Sequence, residues 1–520
     1  MIWVYLGSGV ALALLALAVF DVTQRTHTIL HNFPIIGHLR YVLERIGPEL
    51  RQYIVTDNDE ERPFTRDQRR WVYASAKRQN NRFGFGSDNE MERAANYLVI
   101  KHAPFPPLVD PAHSIENAHG NDPYLLPCAK VLGATRGRRR AFRPESLINI
   151  SGMSFGALSG RAIEALNRGA RSAGCLHNTG EGGISPYHLN GGEIVFQIGT
   201  GYFGCRDDHG RFSLDQLEQT IAGAPVRAIE IKLSQGAKPG LGGILPGVKV
   251  TPEIARIRNV PVGVDCISPP GHTAFGNLDQ LLDFAETIAE RTGLPVGIKS
   301  AIGDLSVWRD LADAMADGQR GVDFITIDGG EGGTGAAPLS FTDHVSLPLK
   351  IGLTRVFSIF AERGVTDRVV FIGSGKLGLP EAALMSFALG CDMVNVGREA
   401  MLAVGCIQSQ RCHTDRCPTG VATQRAWRTR GLDPASKSVR VANYITQLRG
   451  ELLALARTCG HPHPALIGAG QLELIDGKFG SRPLTEVFDY HAEWGVPQGQ
   501  ARKSLEAIMR DAAPQAAGLG

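Results

Sequence analysis

This chain of 520 residues has almost no net charge and few cysteines. Its 54 Lys and Arg side chains are balanced by 52 Asp and Glu, and a net charge of +2 excludes a strongly basic nucleic-acid binder, so we expect no nucleic-acid partner. The nine cysteines are odd in number and six of them stand singly, which argues against a disulfide framework and for a reducing compartment. The remaining composition, 43% hydrophobic and 20% charged, is typical of a globular protein with a large core.

Charged side chains are absent from residues 1–20, which are rich in Leu, Ala and Val. A run of this length predicts a transmembrane anchor. The arginines that follow it, Arg25, Arg40, Arg45 and Arg51, predict a single-pass membrane protein with the C-terminal bulk of the chain in the cytoplasm, by the positive-inside rule. A cleaved signal peptide would have positive charge before the apolar run, and this sequence has none there. A buried core helix is the other alternative.

A repeated pattern, in which a short apolar and β-branched run precedes a helical stretch, begins near residue 147. We predict eight strands, at Leu147–Ser151, Ile194–Ile198, Ala228–Leu233, Val262–Ile267, Val296–Ser300, Phe324–Ile327, Val369–Ile372 and Met393–Val396. The predicted helices between them include Gly160–Ala173, Asn277–Arg291, Val307–Ala316 and Pro380–Leu389. Strands and helices that alternate over about 250 residues predict an α/β fold, a closed (β/α)8 TIM barrel at residues 147–428.

The regions on either side of the predicted barrel have a different pattern. Residues 21–146 predict an irregular and partly helical N-terminal region, which connects the anchor to the barrel and packs against the barrel. Residues 429–520 predict a C-terminal helical extension.

The alternative fold, a doubly wound open sheet, favours a glycine fingerprint after its first strand. The richest glycine clusters here follow late strands instead, which favours the barrel.

The chain has 62 glycines, more than the average usage of about 7%, and many of them follow predicted strands. The sixth strand is followed by Gly329-Gly330-Glu331-Gly332-Gly333-Thr334-Gly335, a loop suited to lie close against a flat ligand. The last two strands lead into Gly373-Ser374-Gly375 and Gly397-Arg398. Because barrels often bind phosphate after strands seven and eight, these two turns predict a phosphate site to which Arg398 could add positive charge.

Lysine and amide side chains occur at the ends of other predicted strands. Lys232, Gln235 and Lys238 lie at the end of the third predicted strand and on the loop after it, where a cationic and amide cluster suits a carboxylate substrate. Lys299 lies near the end of the fifth strand, where an inward-pointing lysine could stabilise negative charge on a reduced flavin. A solvated surface position is the alternative for any single lysine.

Three of the cysteines, Cys406, Cys412 and Cys417, form a bunched Cys-x5-Cys-x4-Cys motif followed directly by Pro418. Thiolates this close in a reducing compartment indicate metal or iron–sulfur ligation. Zinc would need a fourth ligand, for which His413 is available. Three cysteines without an obvious fourth suit a three-iron cluster better.

Four stretches of this sequence resemble the FMN-binding synthase domain of the glutamate synthase family. They are Glu230 to Val250, with the sequence E-I-K-L-S-Q-G-A-K-P-G-L-G-G-I-L-P-G-V-K-V; Asn178 to Gly183; Ser268 to Pro270; and Gly329 to Pro338. The cysteine run through Cys417-Pro418-Thr419-Gly420 to Gln424 is similar to the family's three-iron motif. The resemblance implies an oxidoreductase with FMN and a [3Fe-4S] cluster, which converts 2-oxoglutarate and ammonia to glutamate with hydride from the reduced flavin.

The resemblance also implies roles for individual residues. Substrate or flavin would be bound by Lys232, Gln235 and Lys238, with Glu181 nearby, and Lys299 would face the electron-rich side of the flavin. Residues expected to hold the cofactor are Ser154 and Gln197 at the ring, and Gly330, Gly332, Gly333, Thr334, Gly373, Ser374, Gly375, Gly397 and Arg398 along the ribityl chain and phosphate. The cluster ligands would be Cys406, Cys412 and Cys417.

The sequence departs from the family pattern at several positions. Leu241 stands where the family has an acidic residue after K-P-G, Gly373-Ser374-Gly375 replaces D-G-G, and Gly397-Arg398 replaces Gly-Thr. The N-terminal cysteine of the family's glutaminase domain is also missing, so we expect no glutaminase activity and ammonia as the nitrogen source. We find no dinucleotide-binding domain separate from the barrel, so the expected electron donor is a reductase partner or a ferredoxin.

Two other functions fit the same residues. One is a flavin dehydrogenase of another amino or 2-hydroxy acid, which Leu241 favours. The other is a membrane electron-transfer subunit that binds FMN without converting a carbon substrate, which the presence of Lys232, Gln235 and Lys238 disfavours.

Overall fold

Eight parallel strands close into a barrel in the computed structural model of the chain, which describes residues 2–24, 26–57, 59–82, 84–106 and 126–511. In chain order the barrel strands are β1 Ile148–Ile150, β2 His177–Asn178, β3 Ile194–Ile198, β4 Val226–Lys232, β5 Val296–Ser300, β6 Phe324–Asp328, β7 Val370–Ser374 and β8 Met393–Val396. Each pairs with the next, and β8 closes the ring on β1 through Val394 opposite Ile148. The predicted (β/α)8 fold is therefore confirmed.

One of the eight predicted strands is not part of the barrel, and one strand of the barrel was not predicted. The predicted strand Val262–Ile267 is wrong as a barrel element, because only Cys266–Ile267 is extended and it pairs antiparallel with Ile244–Leu245 in a separate two-stranded sheet. The second barrel strand, His177–Asn178, was not predicted. It has two residues, both polar, and its place is fixed by pairing with β1 and β3 on either side.

Helices follow most of the barrel strands and cover the outside of the barrel, because both faces of a parallel sheet are buried. The α-helices of the described residues are Ile2–Thr23, Thr28–Asn32, Gly37–Leu50, Arg66–Ala76, Gly160–Ala173, Leu214–Ile221, Pro252–Arg258, Leu278–Thr292, Ser306–Ala316, Leu339–His344, Leu349–Glu362, Pro380–Ala388, Arg398–Val404, Ala426–Thr429, Pro434–Thr458, Leu484–Val487 and Gly499–Asp511. The four helices that the sequence predicted between strands are all present, with ends that differ by at most one residue.

Helix Gly160–Ala173 shows how the sequence sets these boundaries. Ser159 caps its start by accepting a hydrogen bond from the backbone N–H of Ala162, and Gly174 ends it in the left-handed conformation. The long helix Pro434–Thr458 packs against it so closely that a Cβ on Gly169 would lie 2.6 Å from the Cβ of Val441. The C-terminal extension is thereby joined to the barrel.

The rest of the C-terminal extension is partly extended. Strand Leu472–Ile475 pairs antiparallel with Leu98–Ile100 on one side and with Ser481–Pro483 on the other, forming a three-stranded sheet. The region predicted as helical thus also contributes two strands. Residues 107–125 of the predicted packing region lie outside the described residues.

The chain divides into two compact units, Met1–Arg69 and Arg70–Gly520. Within the first unit, helix Ile2–Thr23 exposes nearly all of its apolar side chains, and it is the one helix of the described residues that is long and apolar enough to cross a membrane. Helix Gly37–Leu50 continues as a π-helical turn at Arg51–Val55.

Three glycine strings with the spacing G-x-G-x-x-G lie within the barrel itself. Gly199, Gly201 and Gly204 follow β3, but the chain then turns and the next helix begins only at Leu214. The second string starts at Gly330, and the helix after it begins at Leu339. Neither of these two strings opens a helix directly after a strand, as a dinucleotide-binding turn does. The third string, Gly373, Gly375 and Gly378, does join β7 to the helix that begins at Pro380, but it belongs to the seventh strand of the barrel and not to the first strand of a separate unit.

Candidate active site

Polar and glycine residues from all eight strands gather at the carboxyl end of the barrel, the end at which barrels of this kind place their active sites. The predicted site residues occupy the following places: Ser154 after β1, Glu181 after β2, Gln197 in β3, Lys232 at the end of β4 with Gln235 and Lys238 on its loop, Lys299 in β5, Gly330 to Thr334 after β6, Gly373 to Gly375 at the end of β7, and Gly397 with Arg398 after β8.

Glu230 of β4 organises the interior just beneath this end of the barrel. Its buried carboxylate accepts hydrogen bonds from Asn178 Nδ2 at 2.8 Å, Gln197 Nε2 at 2.6 Å and Thr326 Oγ1 at 2.7 Å. These donors belong to β2, β3 and β6, so one carboxylate ties four strands together. A buried charge with three charge-assisted bonds is held firmly, and it fixes the amide of Gln197 in one orientation.

Lys232 and Lys238 both interact with the carboxylate of Glu181. The Nζ atom of Lys232 lies 3.1 Å from Oε1 of Glu181 and donates to Oε1 of Gln235 at 3.2 Å. Burial alone would raise the pKa of Glu181. The positive charges of Lys232, Lys238 and Arg258 have the larger combined effect, so the pKa of Glu181 lies below its usual value. Burial and the charge of Lys232 lower the pKa of Lys238. Two cations and one anion thus share a largely buried site, with a net positive charge.

His272, which sequence reasoning did not identify, forms a hydrogen bond with the backbone of Lys232. Its Nε2 lies 2.9 Å from the backbone oxygen of Lys232, and its Nδ1 lies 3.1 Å from the hydroxyl of Tyr202. Because a carbonyl oxygen only accepts, Nε2 donates, and the neutral ring then accepts from Tyr202. Burial lowers the pKa of His272, which favours this neutral form.

Lys299 and Asp328 connect β5 and β6 to the loop that contains Gln235. The Nζ of Lys299 lies 3.5 Å from Oδ2 of Asp328, and the same oxygen accepts from the backbone N–H of Gly236 at 2.9 Å. Although burial opposes the charge on Lys299, the carboxylates of Asp328 and Glu230 raise its pKa. Lys299 is therefore a protonated, buried cation at the barrel's carboxyl end.

The glycine loop after β6 lies against the loop after β4. A Cβ on Gly236 would come within 1.9 Å of the backbone oxygen of Gly329, so no other residue fits there. Gln235 Nε2 donates to the oxygen of Gly333 at 2.9 Å, and Arg398 donates to the oxygen of Glu331. Two side chains, one on the loop after β4 and one directly after β8, thus hold the glycine loop in place.

Arg258 is a second residue that sequence reasoning missed. It is buried at the end of helix Pro252–Arg258, where its Nη2 donates to Phe155 O at 3.0 Å and to Ser154 Oγ at 3.3 Å. Its guanidinium also lies over the ring of Phe203 at 5.2 Å. Arg258 therefore fixes the loop after β1, including the predicted contact residue Ser154. Neither Arg258 nor His272 gave a sequence signal, because each is a lone residue in a loop or short helix.

The three bunched cysteines lie on one segment between helices Arg398–Val404 and Ala426–Thr429. Burial and the neighbouring Cys417 raise the pKa of Cys412, while Lys249 acts in the opposite direction. Lys249 is buried, and its Nζ donates to the oxygens of Cys412 at 2.9 Å and Ala157 at 3.0 Å. A Cβ on Gly335 would lie 3.3 Å from the Cβ of Cys412, so this segment adjoins the end of the glycine loop.

Among the described residues, no three His, Cys, Asp or Glu side chains converge closely enough to hold a single metal ion. The zinc alternative with His413 requires four ligands at about 2.0–2.3 Å from one centre. In a cluster each thiolate binds a different iron, so the sulfurs need not meet at one point.

Comparison with known proteins agrees with this barrel and its motifs. Residues 118–462 match the family described as conserved region in glutamate synthase. The chain is 38% identical over 471 residues to the glutamate synthase large subunit-like protein YerD of Bacillus subtilis, covering 85% of this chain and 89% of that protein. It is 35% identical over 341 residues to the archaeal glutamate synthase [NADPH] of Methanocaldococcus jannaschii, covering 64% of this chain and 61% of that protein.

A third relative matches a shorter part of this chain. The ferredoxin-dependent glutamate synthase of Pyropia yezoensis is 35% identical over 302 residues, which cover 53% of this chain and 18% of that enzyme. The chain thus spans most of the Bacillus protein, under two thirds of the archaeal one and a small part of the algal one. The family match covers well over half of the chain, and the chain therefore belongs to the glutamate synthase family of oxidoreductases that act on CH–NH2 donors.

Proposed function

We propose that this barrel is an FMN- and iron–sulfur-dependent enzyme that reductively aminates 2-oxoglutarate with ammonia. The balanced reaction joins 2-oxoglutarate, ammonium, two electrons and two protons to give glutamate and water. The observation that supports it best is the cluster of Lys232, Lys238 and Glu181, in which two ammonium groups share one carboxylate. A dicarboxylate substrate adds negative charge where the site has an excess of positive charge.

The residues present fit FMN at the carboxyl end of the barrel. When bound, FMN supplies a hydride to the substrate carbon. Arg398 and the turn at Gly375, whose φ of +129° suits glycine, offer a cationic and glycine-lined place for a phosphate. Lys299, a buried cation near the end of β5, would stabilise negative charge on the ring. Gln197, held by Glu230, presents a fixed amide to the same space.

Cys406, Cys412 and Cys417 are the proposed ligands of a [3Fe-4S] cluster, which passes single electrons to the flavin when bound. The donor set fits, because all three cysteines lie on one segment between two helices and thiolates are the usual ligands of iron–sulfur clusters. The buried ammonium of Lys249 offsets part of the negative charge that thiolate ligation brings to this segment.

Leu241 favours a second candidate, the oxidation of another amino acid or 2-hydroxy acid at the same flavin. The loop that contains Lys238 leaves Leu241 37% exposed, so it places an apolar side chain where the family has an acidic one. A substrate with an apolar side chain would gain from this contact. The shared lysines would bind its carboxylate in the same way.

The test is a titration of the reduced protein, with reoxidation of its flavin followed by absorbance. The proposed function predicts reoxidation when 2-oxoglutarate and ammonium are present together, and not with ammonium alone. Reoxidation by other 2-oxo acids with equal efficiency would favour the second candidate. A flavin that no carbon substrate reoxidises would identify an electron-transfer subunit instead.

The helix Ile2–Thr23 is the proposed membrane anchor, with a single crossing and the barrel in the cytoplasm. Its 22 residues match the thickness of a bilayer, and its apolar side chains are exposed. Full-length protein should therefore fractionate with membranes, whereas a variant lacking residues 1–23 should be soluble and still yellow. A soluble full-length protein, or loss of the flavin on truncation, would contradict this proposal.

A further inference from the structure

An apolar face runs along helix Gly37–Leu50 and the π-helical turn Arg51–Val55 that continues it. Its side chains recur three or four residues apart, which is the spacing that places them on one side of a helix. They are Leu39, Val42, Leu43, Ile46, Leu50 and Tyr53, and between 38% and 59% of each is exposed. We call these six side chains the apolar face. An exposed apolar patch of this kind marks an interaction site.

Arginines border the apolar face on both edges. Arg40 and Arg51 are three helical turns apart and lie along one edge, and Arg45 lies along the other. All three are exposed. Glu44 pairs with Arg40 at 2.8 Å and lies on the side of the helix turned away from the apolar face. One apolar side with a cationic border is the pattern of a helix that lies at a membrane surface.

The apolar face begins close to the end of helix Ile2–Thr23, and Asp21 holds the two helices together. Asp21 lies in the last turn of that helix and is buried. Its carboxylate accepts hydrogen bonds from the backbone N–H of Ile35 at 2.9 Å and from Nε2 of His38 at 2.9 Å. Because a carboxylate only accepts, Nε2 of His38 is the donor. The start of helix Gly37–Leu50 is therefore fixed at the end of the proposed anchor.

We infer that the apolar face lies in the headgroup region of a phospholipid bilayer, with helix Gly37–Leu50 along the membrane surface. The inference rests on the proposed membrane anchor and adds a second contact with the same bilayer. The 22 residues of helix Ile2–Thr23 span about 33 Å, slightly more than the hydrocarbon core of about 30 Å. The last turn of the anchor, with Asp21, thus lies at the bilayer surface, and the next long helix starts there.

Continuity with the anchor favours lipid as the occupant of the apolar face. A helix that starts at the bilayer surface has headgroups beside it, whereas a protein partner would first have to reach that place. Arginine side chains are long enough to reach lipid phosphates while the apolar side chains beside them are buried. Removing residues 1–23 also removes Asp21, so the truncated variant proposed above should lose this contact together with the anchor.

The experiment places a photoreactive side chain on the full-length protein in vesicles of phosphatidylcholine and phosphatidylglycerol. The test variant is Leu43→p-benzoylphenylalanine, and Ile46→p-benzoylphenylalanine is a second position on the apolar face. The matched control is Glu44→p-benzoylphenylalanine, on the same helix but turned away from the apolar face. Leu14→p-benzoylphenylalanine reports on the anchor itself. Mass spectrometry after irradiation identifies what each position has bound.

Phospholipid should attach at Leu43 and Ile46 on the order of tenfold more than at Glu44, because an interfacial helix buries its apolar side about 5–10 Å deep and leaves its polar side in water. Equal attachment at Leu43 and Glu44 would overturn the inference. So would cross-links from Leu43 to the barrel or to a second copy of the chain, or lipid attachment at Leu14 alone. If Leu14 also attaches no lipid, the proposed anchor itself is refuted.

Discussion

Nζ of Lys232 lies 3.1 Å from Oε1 of Glu181, and Glu181 also raises the pKa of Lys238 against the effects of burial and of Lys232. Glu181→Gln removes that opposing charge, so the pKa of Lys238 should fall further. A lysine binds a carboxylate only while it is protonated. The variant should therefore lose affinity for 2-oxoglutarate at a lower pH than the wild type as pH rises.

The measurement is apparent affinity for 2-oxoglutarate as a function of pH. Glu253→Gln is a suitable control, because Glu253 bonds Tyr187 at 3.2 Å and is not one of the charges that act on Lys238. Identical pH profiles for Glu181→Gln and the wild type would show that the carboxylate of Glu181 does not affect the pKa of Lys238.

Glu230→Gln should destabilise the barrel, although the two side chains have nearly the same shape. An amide at this position would turn a donor toward Asn178 or Gln197, or toward Thr326, and one buried polar group would lose its partner. The expected loss is about 1–3 kcal/mol of unfolding free energy, measured by urea denaturation. FMN should also dissociate more readily, since Gln197 is no longer fixed.

A matched control for Glu230→Gln is Glu193→Gln. Glu193 is exposed and pairs with Arg227 at 3.4 Å, so its replacement should change stability by less than about 0.5 kcal/mol. Equal stability of the two variants would mean that the interior carboxylate does not hold the strands together.

Cys412→Ser should abolish the iron–sulfur cluster and leave the flavin in place, because Cys412 approaches the glycine loop only at the last residue of that loop, Gly335. Iron and acid-labile sulfide per FMN are the quantities to measure. Cys459→Ser is the control, since Cys459 is a lone buried thiol whose pKa is raised by burial. Stoichiometric zinc in place of iron in the wild type would disprove the cluster assignment.

The sequence predicts most of the fold because seven of the barrel strands are short runs rich in apolar and β-branched residues. His177–Asn178 lacks that pattern, and its extended shape depends on neighbours far away in the chain. Val262 and Val264 do fit a strand pattern, yet they are more than half exposed in a loop beside the barrel. A prediction from apolar periodicity assumes that apolar residues are buried. It is therefore wrong for a very short polar strand and for exposed valines.

The positions of candidate site residues were predictable where they lie near a strand end, as for Lys232 and Lys299. It was not predictable for residues that act through a tertiary contact. His272 bonds the backbone of Lys232 from 40 positions away, and Arg258 bonds Ser154 from 104 positions away. Glu230 lies inside the family motif, but its three donors become apparent only when the barrel closes.

The most direct test of the proposed function compares reoxidation of the reduced wild type and of Lys238→Ala over a range of 2-oxoglutarate concentrations with ammonium present. Loss of one charge-assisted contact to a carboxylate costs about 1.5–3 kcal/mol, so the variant should require roughly ten to a hundred times more 2-oxoglutarate while keeping its FMN. Equal apparent affinity for 2-oxoglutarate in the two proteins would contradict the substrate assignment, and with it glutamate as the product.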